Sequence, residues 1–279
     1  MGEERGTAAG RRRRPHPGLR GLVTDYQGYR YDALTPGGHH GLPSTVLTLV
    51  LSFDQPLHVG WLSAERSLDR HWALASGLHV GPALIRHDGT QHGLQLGLTP
   101  AGARTLLGMP AGPLAGEMVP LQALLGPDAE RLYADVAGCR TWEERFDALD
   151  RHLLARAGTR AAEVRSELRC AWQSLVRSAG TVKVQHLAAE LGWSRRHLTG
   201  RFGAEFGVTP KQLARVSRFQ RARGDVLRSA GADLAETAAR CGYSDQAHLT
   251  REWRALAGYT PRQWLREEFP FLQDSGSHG

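Results

Sequence analysis

Hydrophobic positions in the carboxy-terminal third of the chain repeat one helical pattern twice. Each copy has an alanine-rich stretch, a glycine, and then apolar residues spaced three or four positions apart. The glycines, Gly192 and Gly242, lie fifty positions apart. The apolar residues that follow are Leu198, Phe202 and Phe206 in the first copy and Leu249, Trp253 and Leu256 in the second. This spacing predicts two short helical modules in tandem.

Each module is predicted to consist of two helices joined by a tight turn. Gly192 and Gly242 can supply the positive φ angle that such a turn requires. Ser194 and Ser244 follow two positions later, where a hydroxyl oxygen can accept from the free amides at the start of the next helix. A helix, a glycine turn and a second helix with one apolar face make up the helix-turn-helix arrangement.

Residues 210–229, between the two modules, predict one longer helix rich in arginine. A helix of this length spans roughly 30 Å. One turn of B-DNA is about 34 Å long. We therefore expect the linker helix to hold two reading helices in successive major grooves on one face of a duplex.

The amino-terminal half of the chain shows strand patterns. Residues 45–53 are rich in β-branched and apolar side chains and are bounded by prolines, so they predict a strand. Residues 78–85 and 93–98 are shorter candidates, separated by a turn at Asp88 and Gly89. Glycine and proline punctuate the whole stretch, which predicts a small β-rich domain built as a partly open barrel or a sandwich.

Helical spacing returns after residue 99. Predicted helices cover 101–107 with Thr99 as the cap, 128–136, 142–155 and 162–178, and residues 157–159 mark the predicted domain boundary. The predicted fold class is therefore α+β. The predicted parts are a disordered basic tail (1–20), a β-rich sensor or dimerisation domain with a helical end (21–158), a domain with two helix-turn-helix modules (159–270) and a flexible tail (271–279).

Positive charge is concentrated in the predicted modules. The chain carries a net charge of +7, which divides into +4 for residues 1–20, −2 for 21–180 and +5 for 181–279. A basic helical domain favours nucleic acid as a partner. We interpret the arginines at 11–14 as part of a solvated extension.

The remaining composition argues against several classes of protein. The three cysteines, Cys139, Cys170 and Cys241, lack metal-binding spacing, so we expect no disulfide or zinc site and interpret the last two as packing residues. Histidines between 39 and 92 show no metal-binding motif. Because there is also no long apolar run and no signal-peptide pattern, we expect a soluble cytoplasmic protein without metal, cofactor or membrane partner.

The outward faces of the second helices are the predicted DNA-reading surfaces. With Leu198 and Leu249 turned inward, polar and small residues point away from the core. Arginine and glutamine suit the edges of guanine and adenine, and threonine and alanine suit the thymine methyl group. The predicted DNA contacts are Arg195, Arg196, Thr199, Gly200, Gln246, Ala247, Thr250, Arg251 and Arg254. Candidates for phosphate contacts on the linker helix are Lys211, Arg215 and Arg218.

Residues 239–253 and 258–264 closely resemble the carboxy-terminal signature of AraC-family transcription regulators, and residues 218–222 resemble the inter-module helix of that family. The resemblance covers about residues 161–268. It implies a seven-helix DNA-binding domain with two helix-turn-helix modules, in a transcription regulator with no enzymatic activity. It also implies promoter or operator DNA and RNA polymerase as partners.

Residues 29–44 loosely resemble the amino-terminal regulatory domains of the same family. In that family a small, cupin-like β-barrel carries effector binding or dimerisation. The resemblance therefore implies that a small-molecule effector and a second copy of the chain are further partners.

The first module departs from the family pattern. Gly200 stands where the family often carries arginine, and the helical wheel places the neighbouring Arg201 beside the core. Gly203 is also predicted to face outward, which leaves a smooth surface beyond Arg196. We therefore expect sequence specificity to depend mainly on the second module.

Two other functions stay open at this point. One is a DNA-tethered enzyme of the alkyl-transfer repair type, which needs a reactive thiol, and Cys139 is its only loosely eligible residue. The other is a nucleoid protein that binds DNA without sequence preference.

Overall fold

Two antiparallel sheets make up the amino-terminal part of the computed structural model, which describes residues 7–32, 35–63, 68–159, 163–229 and 233–267. The strand order is β1-β2-β9-β4-β7-β10 in one sheet and β3-β8-β5-β6 in the other. The strands are β1 (Thr7–Arg13), β2 (Val23–Asp32), β3 (Gly37–Gly41), β4 (Leu47–Ser52), β5 (Leu57–Trp61), β6 (Asp69–His71), β7 (Ala73–Ser76), β8 (Ala83–His87), β9 (Gln91–Leu98) and β10 (Met118–Pro120).

Strand β4 shows how the two faces of the larger sheet differ. Leu47, Leu49 and Leu51 are buried in the main hydrophobic core. Thr48 and Val50 alternate with them and line a cavity. Because side chains alternate along a strand, one face of this sheet packs on the core and the other faces the cavity.

Helices follow the sheets. They are α1 (Pro100–Gly102), which continues as a π-helical stretch (Ala103–Leu107), α2 (Leu121–Leu125), α3 (Pro127–Ala137), α4 (Trp142–Thr159), α5 (Ser166–Arg177), α6 (Val184–Glu190), α7 (Arg195–Phe206), α8 (Pro210–Arg228), α9 (Leu234–Arg240), α10 (Gln246–Ala257) and α11 (Pro261–Glu267). A strand-rich part followed by helices confirms the α+β class. The described residues after α4 contain the seven helices that the family resemblance implied.

The prediction of a disordered tail over residues 1–20 is wrong for the part that the structure describes. β1 pairs along its whole length with β2. Arg13 of β1 forms ion pairs with Asp147 and Asp150 of α4. The arginines looked solvated because their acidic partners lie more than a hundred positions away in the sequence. Residues 1–6 and the predicted flexible tail at 271–279 lie outside the described residues.

The limits of one predicted strand and of one predicted helix also differ from the observed ones. Only 83–85 of the predicted strand 78–85 is extended, and the strand continues to His87. Pro82 lies just before it and removes a backbone donor, which fits a strand that begins at Ala83. The helix α4 runs through residues 157–159 and ends at Thr159, so the predicted domain boundary falls inside this helix. The predicted start of the next helix at residue 162 lies outside the described residues.

The two modules are attached to the amino-terminal part in different ways. Leu198 and Phe202 of the first module belong to the same hydrophobic core as the large sheet. Leu249 and Trp253 of the second module belong to a separate cluster. The helix α8 joins the two cores, because its residues up to Ala214 pack in the first and those from Val216 pack in the second.

Candidate nucleic-acid interface

Both modules have the predicted helix-turn-helix geometry. In the first, α6 and α7 are separated by a turn in which Gly192 has a φ of 68°. In the second, α9 and α10 are separated by a turn in which Gly242 has a φ of 75°. Both values lie in the left-handed region that glycine adopts without strain. The repeat therefore corresponds to two equivalent structural units.

The starts of the two reading helices are capped differently. The Ser194 hydroxyl accepts a hydrogen bond from the His197 amide at 3.1 Å, as predicted. In the second module the prediction of Ser244 as the cap is wrong. Asp245 is the cap, and its carboxylate accepts from the His248 amide at 2.6 Å. This bond lowers the pKa of Asp245, since the charged form is the better acceptor.

The predicted reading residues lie on the surface of the helices. Thr199 and Thr250 are half-buried, and the other seven are exposed: Arg195, Arg196, Gly200, Gln246, Ala247, Arg251 and Arg254. The Thr250 hydroxyl donates to the Gln246 carbonyl at 2.9 Å. Because its hydroxyl bonds to its own helix, Thr250 can offer its methyl group to a ligand.

The first reading helix has an open face at its two glycines. A Cβ atom added at Gly200 or Gly203 would meet nothing within 4 Å. Arg201, which the helical wheel placed beside the core, is exposed, so that prediction is wrong. A long side chain can leave the edge of an apolar stripe for solvent. The first module therefore carries an additional solvent-facing cation.

The phosphate-contact candidates on α8 have different environments. Lys211 is exposed. Arg215 forms an ion pair with Glu252 of α10 at 2.8 Å. Arg218 donates to the Gly180 carbonyl at 3.0 Å and lies over the Tyr243 ring at 5.5 Å. The two arginines hold helices together, and Lys211 is the one of the three that is most accessible to DNA.

The cysteines occupy three different environments. Cys241 is fully buried, and burial together with nearby Asp225 raises the pKa of its thiol to about 11. Cys170 is exposed, so its interpretation as a packing residue is wrong. Cys139 is half-buried, and its thiol donates to the Asp135 carbonyl at 3.1 Å. An alkyl-transfer enzyme would need a thiolate of low pKa, whereas the pKa of the Cys241 thiol is raised.

A cavity of about 150 Å³ lies between the two sheets and extends to α8. Its apolar wall includes Val50, Val59, Leu74 and Ile85. Two polar residues of α8, Gln220 and Arg223, complete the lining, and Arg223 is only 4% exposed. Sequence reasoning missed Arg223. The signal was its position four residues after Phe219 and three before Val226, on the apolar stripe of α8.

Two histidines in the cavity wall, His39 and His79, are held in the neutral form. Burial, followed by the nearby rings of His87 and His40, lowers the pKa of His39 to about 3. Burial also lowers the pKa of His79 to about 4, although its bond to the Gly81 carbonyl opposes this shift. At neutral pH these rings add hydrogen-bonding groups but no charge to the cavity.

The described residues show neither a metal-binding cluster nor a membrane-spanning helix. The described part of the chain places no three side chains of histidine, cysteine, aspartate or glutamate where they could share a metal ion. None of the described helices is both long and apolar enough to cross a membrane.

Comparison with known sequences gives one match. The model of a family described as a helix-turn-helix domain matches residues 187–267, which run from α6 to α11. No curated protein matches the chain in sequence.

Solved structures extend the similarity to the whole fold. The chain resembles ToxT from Vibrio cholerae with bound unsaturated fatty acid, with a TM-score of 0.53, 8% identity, and coverage of 91% of this chain and 96% of that one. An apo ToxT variant gives a TM-score of 0.52, 9% identity, and coverage of 91% and 99%. The C-terminal domain of AraT, a response regulator from Geobacillus stearothermophilus, is 22% identical over 42% of this chain and 98% of that one, with a TM-score of 0.35.

Proposed function

We propose that this chain, which carries an AraC-type helix-turn-helix domain over residues 187–267, is a sequence-specific transcription regulator that reads double-stranded DNA. Its two reading helices, α7 and α10, would enter successive major grooves, as the length of α8 allows. Operator DNA is accordingly the principal partner.

The observation that carries this proposal is the exposed face of α10. Gln246 and Arg251 are exposed, and Thr250 lies half-buried between them. Glutamine and arginine can each form paired hydrogen bonds with a base edge in the major groove. The core residues Leu249 and Trp253 hold the opposite face of the helix completely buried. The reading side chains are thus fixed on a rigid support.

Replacing Arg251 by alanine tests this assignment. We expect affinity for a duplex selected from a random library to fall about tenfold to a hundredfold, because one good base contact contributes about 1–3 kcal/mol. Affinity for unrelated duplexes should fall much less. Titration of labelled duplexes in a mobility-shift assay measures both values.

Lys211→Ala is the matched control for a cation without base contact. It should weaken all duplexes alike and reduce the slope of log affinity against log salt by about one. Two outcomes would contradict base recognition by α10: the wild-type chain selects no sequence, or Arg251→Ala weakens binding to every duplex equally. A nucleoid protein without sequence preference would then be the better interpretation.

We also propose that the cavity between the sheets is the effector site. ToxT, which shares the fold, binds an unsaturated fatty acid. Here part of the wall is apolar, and buried Arg223 is among the residues that line it. A guanidinium group pairs with carboxylates through two parallel hydrogen bonds. A cavity of roughly 150 Å³ accommodates a molecule about the size of benzene. The effector class is therefore a small carboxylic acid with a compact apolar body.

Benzoate and phenylacetate are suitable probes, with benzamide and phenylacetamide as uncharged controls. Ligand at a hundred times its dissociation constant stabilises a protein by about 2.7 kcal/mol, so we expect the acids to raise the melting temperature by several degrees and the amides to have little effect. Arg223→Met should remove the difference between acids and amides. Equal shifts with acids and amides would show that Arg223 recognises no carboxylate.

The remaining partners stay predictions. RNA polymerase and a second copy of the chain follow from the family resemblance, and the described contacts test neither. The alkyl-transfer alternative loses support, because Cys139 is half-buried and donates to a backbone carbonyl.

A further inference from the structure

The amino-terminal part of the molecule contacts both reading helices at equivalent places. Each reading helix ends at a glycine in the left-handed conformation, Gly207 after α7 and Gly258 after α10. These glycines occupy matching positions in the two copies of the repeat. Both lie against residues of the amino-terminal part. The faces that would read DNA are left exposed.

The contact at the end of α7 is extensive and partly buried. The Glu205 carboxylate accepts two hydrogen bonds from the Arg104 guanidinium, each 2.6 Å long. The Gly207 backbone packs directly against Gly112 and Ala115. Since this module also shares its core with the large sheet, α7 and the amino-terminal part form one rigid unit.

The contact at the end of α10 is centred on His40, beside which Leu42 and Val80 pack against the core of the second module. The Nδ1 atom of His40 lies 2.8 Å from the Ala257 carbonyl oxygen, to which it donates. The His40 ring stacks on Tyr259, with 4.2 Å between ring centroids and 14° between planes. His40 is 6% exposed, so this bond is shielded from water.

The second module is otherwise joined to this unit through α8 and a few neighbouring contacts. Its core is separate from the large one. One of these contacts is a hydrogen bond of 3.2 Å from the Thr45 amide to the Gln220 side chain of α8. The relative position of α10 therefore depends on the middle of α8, where the two cores meet between Ala214 and Val216, and on the His40 contact.

We infer that His40 is a latch that fixes α10 relative to α7, so that the amino-terminal domain sets the spacing between half-sites that the protein accepts on DNA. This inference rests on the proposed function. The latch includes one hydrogen bond and one ring contact, whereas α7 shares the large hydrophobic core with the amino-terminal part. His40 also lines the cavity between the sheets, so an occupant of that cavity touches the latch directly.

The test uses the full-length chain and a duplex selected from a random library. Base pairs are inserted one at a time between the two half-sites, and the dissociation constant is measured for each duplex. For the wild type we expect one preferred spacing, with affinity falling about tenfold or more at others. His40→Leu, which removes the donor but keeps the volume, should reduce this discrimination to about threefold or less.

Tyr259→Leu removes the stacking partner and should also reduce the difference in affinity between spacings. This variant decides the question if His40→Leu does not fold. His58→Leu is the matched control. His58 lies on β5 of the same sheet, separated from the strand of His40 by β8, and bonds to the Leu68 carbonyl at 3.1 Å. His58→Leu should leave the dependence of affinity on spacing unchanged.

The two proposals fail in different ways. If the wild type and the folded latch variants show the same spacing profile, the latch is wrong while specific binding stands. If the wild type recovers no preferred duplex at all, the proposed function is wrong and the latch falls with it.

Discussion

Replacing Arg104 by alanine should lower the free energy of unfolding by about 3 kcal/mol. Arg104 donates two hydrogen bonds to Glu205, whose side chain is only 9% exposed. The variant would leave that carboxylate buried without its cation, a change that costs about 3–5 kcal/mol in other proteins. We expect the lower end, because the Arg104 side chain is 27% exposed and water can reach part of the site.

Urea denaturation followed by circular dichroism measures this change. Arg131→Ala is the matched control, since Arg131 also pairs with a carboxylate, that of Asp128, but both side chains are well exposed. Exposed pairs contribute about 0–1 kcal/mol. The double variant Arg104→Met with Glu205→Leu should recover most of the loss, because it removes both charges. A loss with Arg104→Ala no larger than that of the control would show that the pair does not hold the two parts together.

Gly207→Ala should destabilise the protein by about 3 kcal/mol or more, whereas Gly192→Ala should cost about 1 kcal/mol. Both glycines have nearly the same backbone conformation, with φ values of 72° and 68°. A side chain in this region costs about 1–2 kcal/mol in either place. At Gly192 a Cβ atom would meet nothing within 4 Å.

At Gly207 the added methyl group would overlap Ala115 and lie 2.6 Å from the Gly112 carbonyl oxygen. Backbone cannot move aside as a flexible side chain can, so overpacking adds about 1–3 kcal/mol. Thermal and urea denaturation of the two variants side by side isolate this difference. Equal destabilisation would mean that α7 does not pack closely on the amino-terminal part, which would also remove the fixed reference for the latch.

The local features of both modules could be predicted from the sequence. The turn glycines, the Ser194 cap and the apolar stripes depend on residues within a few positions of one another, and the structure confirms each of them. The Ser244 cap failed for a local reason, since the helix starts one position later and the stronger acceptor, Asp245, takes the place. The error is a shift by one residue within a correctly predicted turn.

The amino-terminal half was less predictable. The strands β4 and β9 were predicted because each carries its own apolar pattern, which β4 combines with β-branched residues. The strand β1 was missed, because its arginines resemble a solvated tail until β2 and α4 are placed beside them.

By itself the sequence determined the repeat, its turns and the reading faces, because hydrogen bonds and periodicity within a helix are set by neighbouring residues. Only the tertiary structure decided which cations are free for DNA and which hold the protein together. Arg104 and Glu205 are 101 positions apart, and His40 and Ala257 are 217 apart. No local pattern encodes such pairs, since they form only when the whole fold brings their side chains within hydrogen-bond distance.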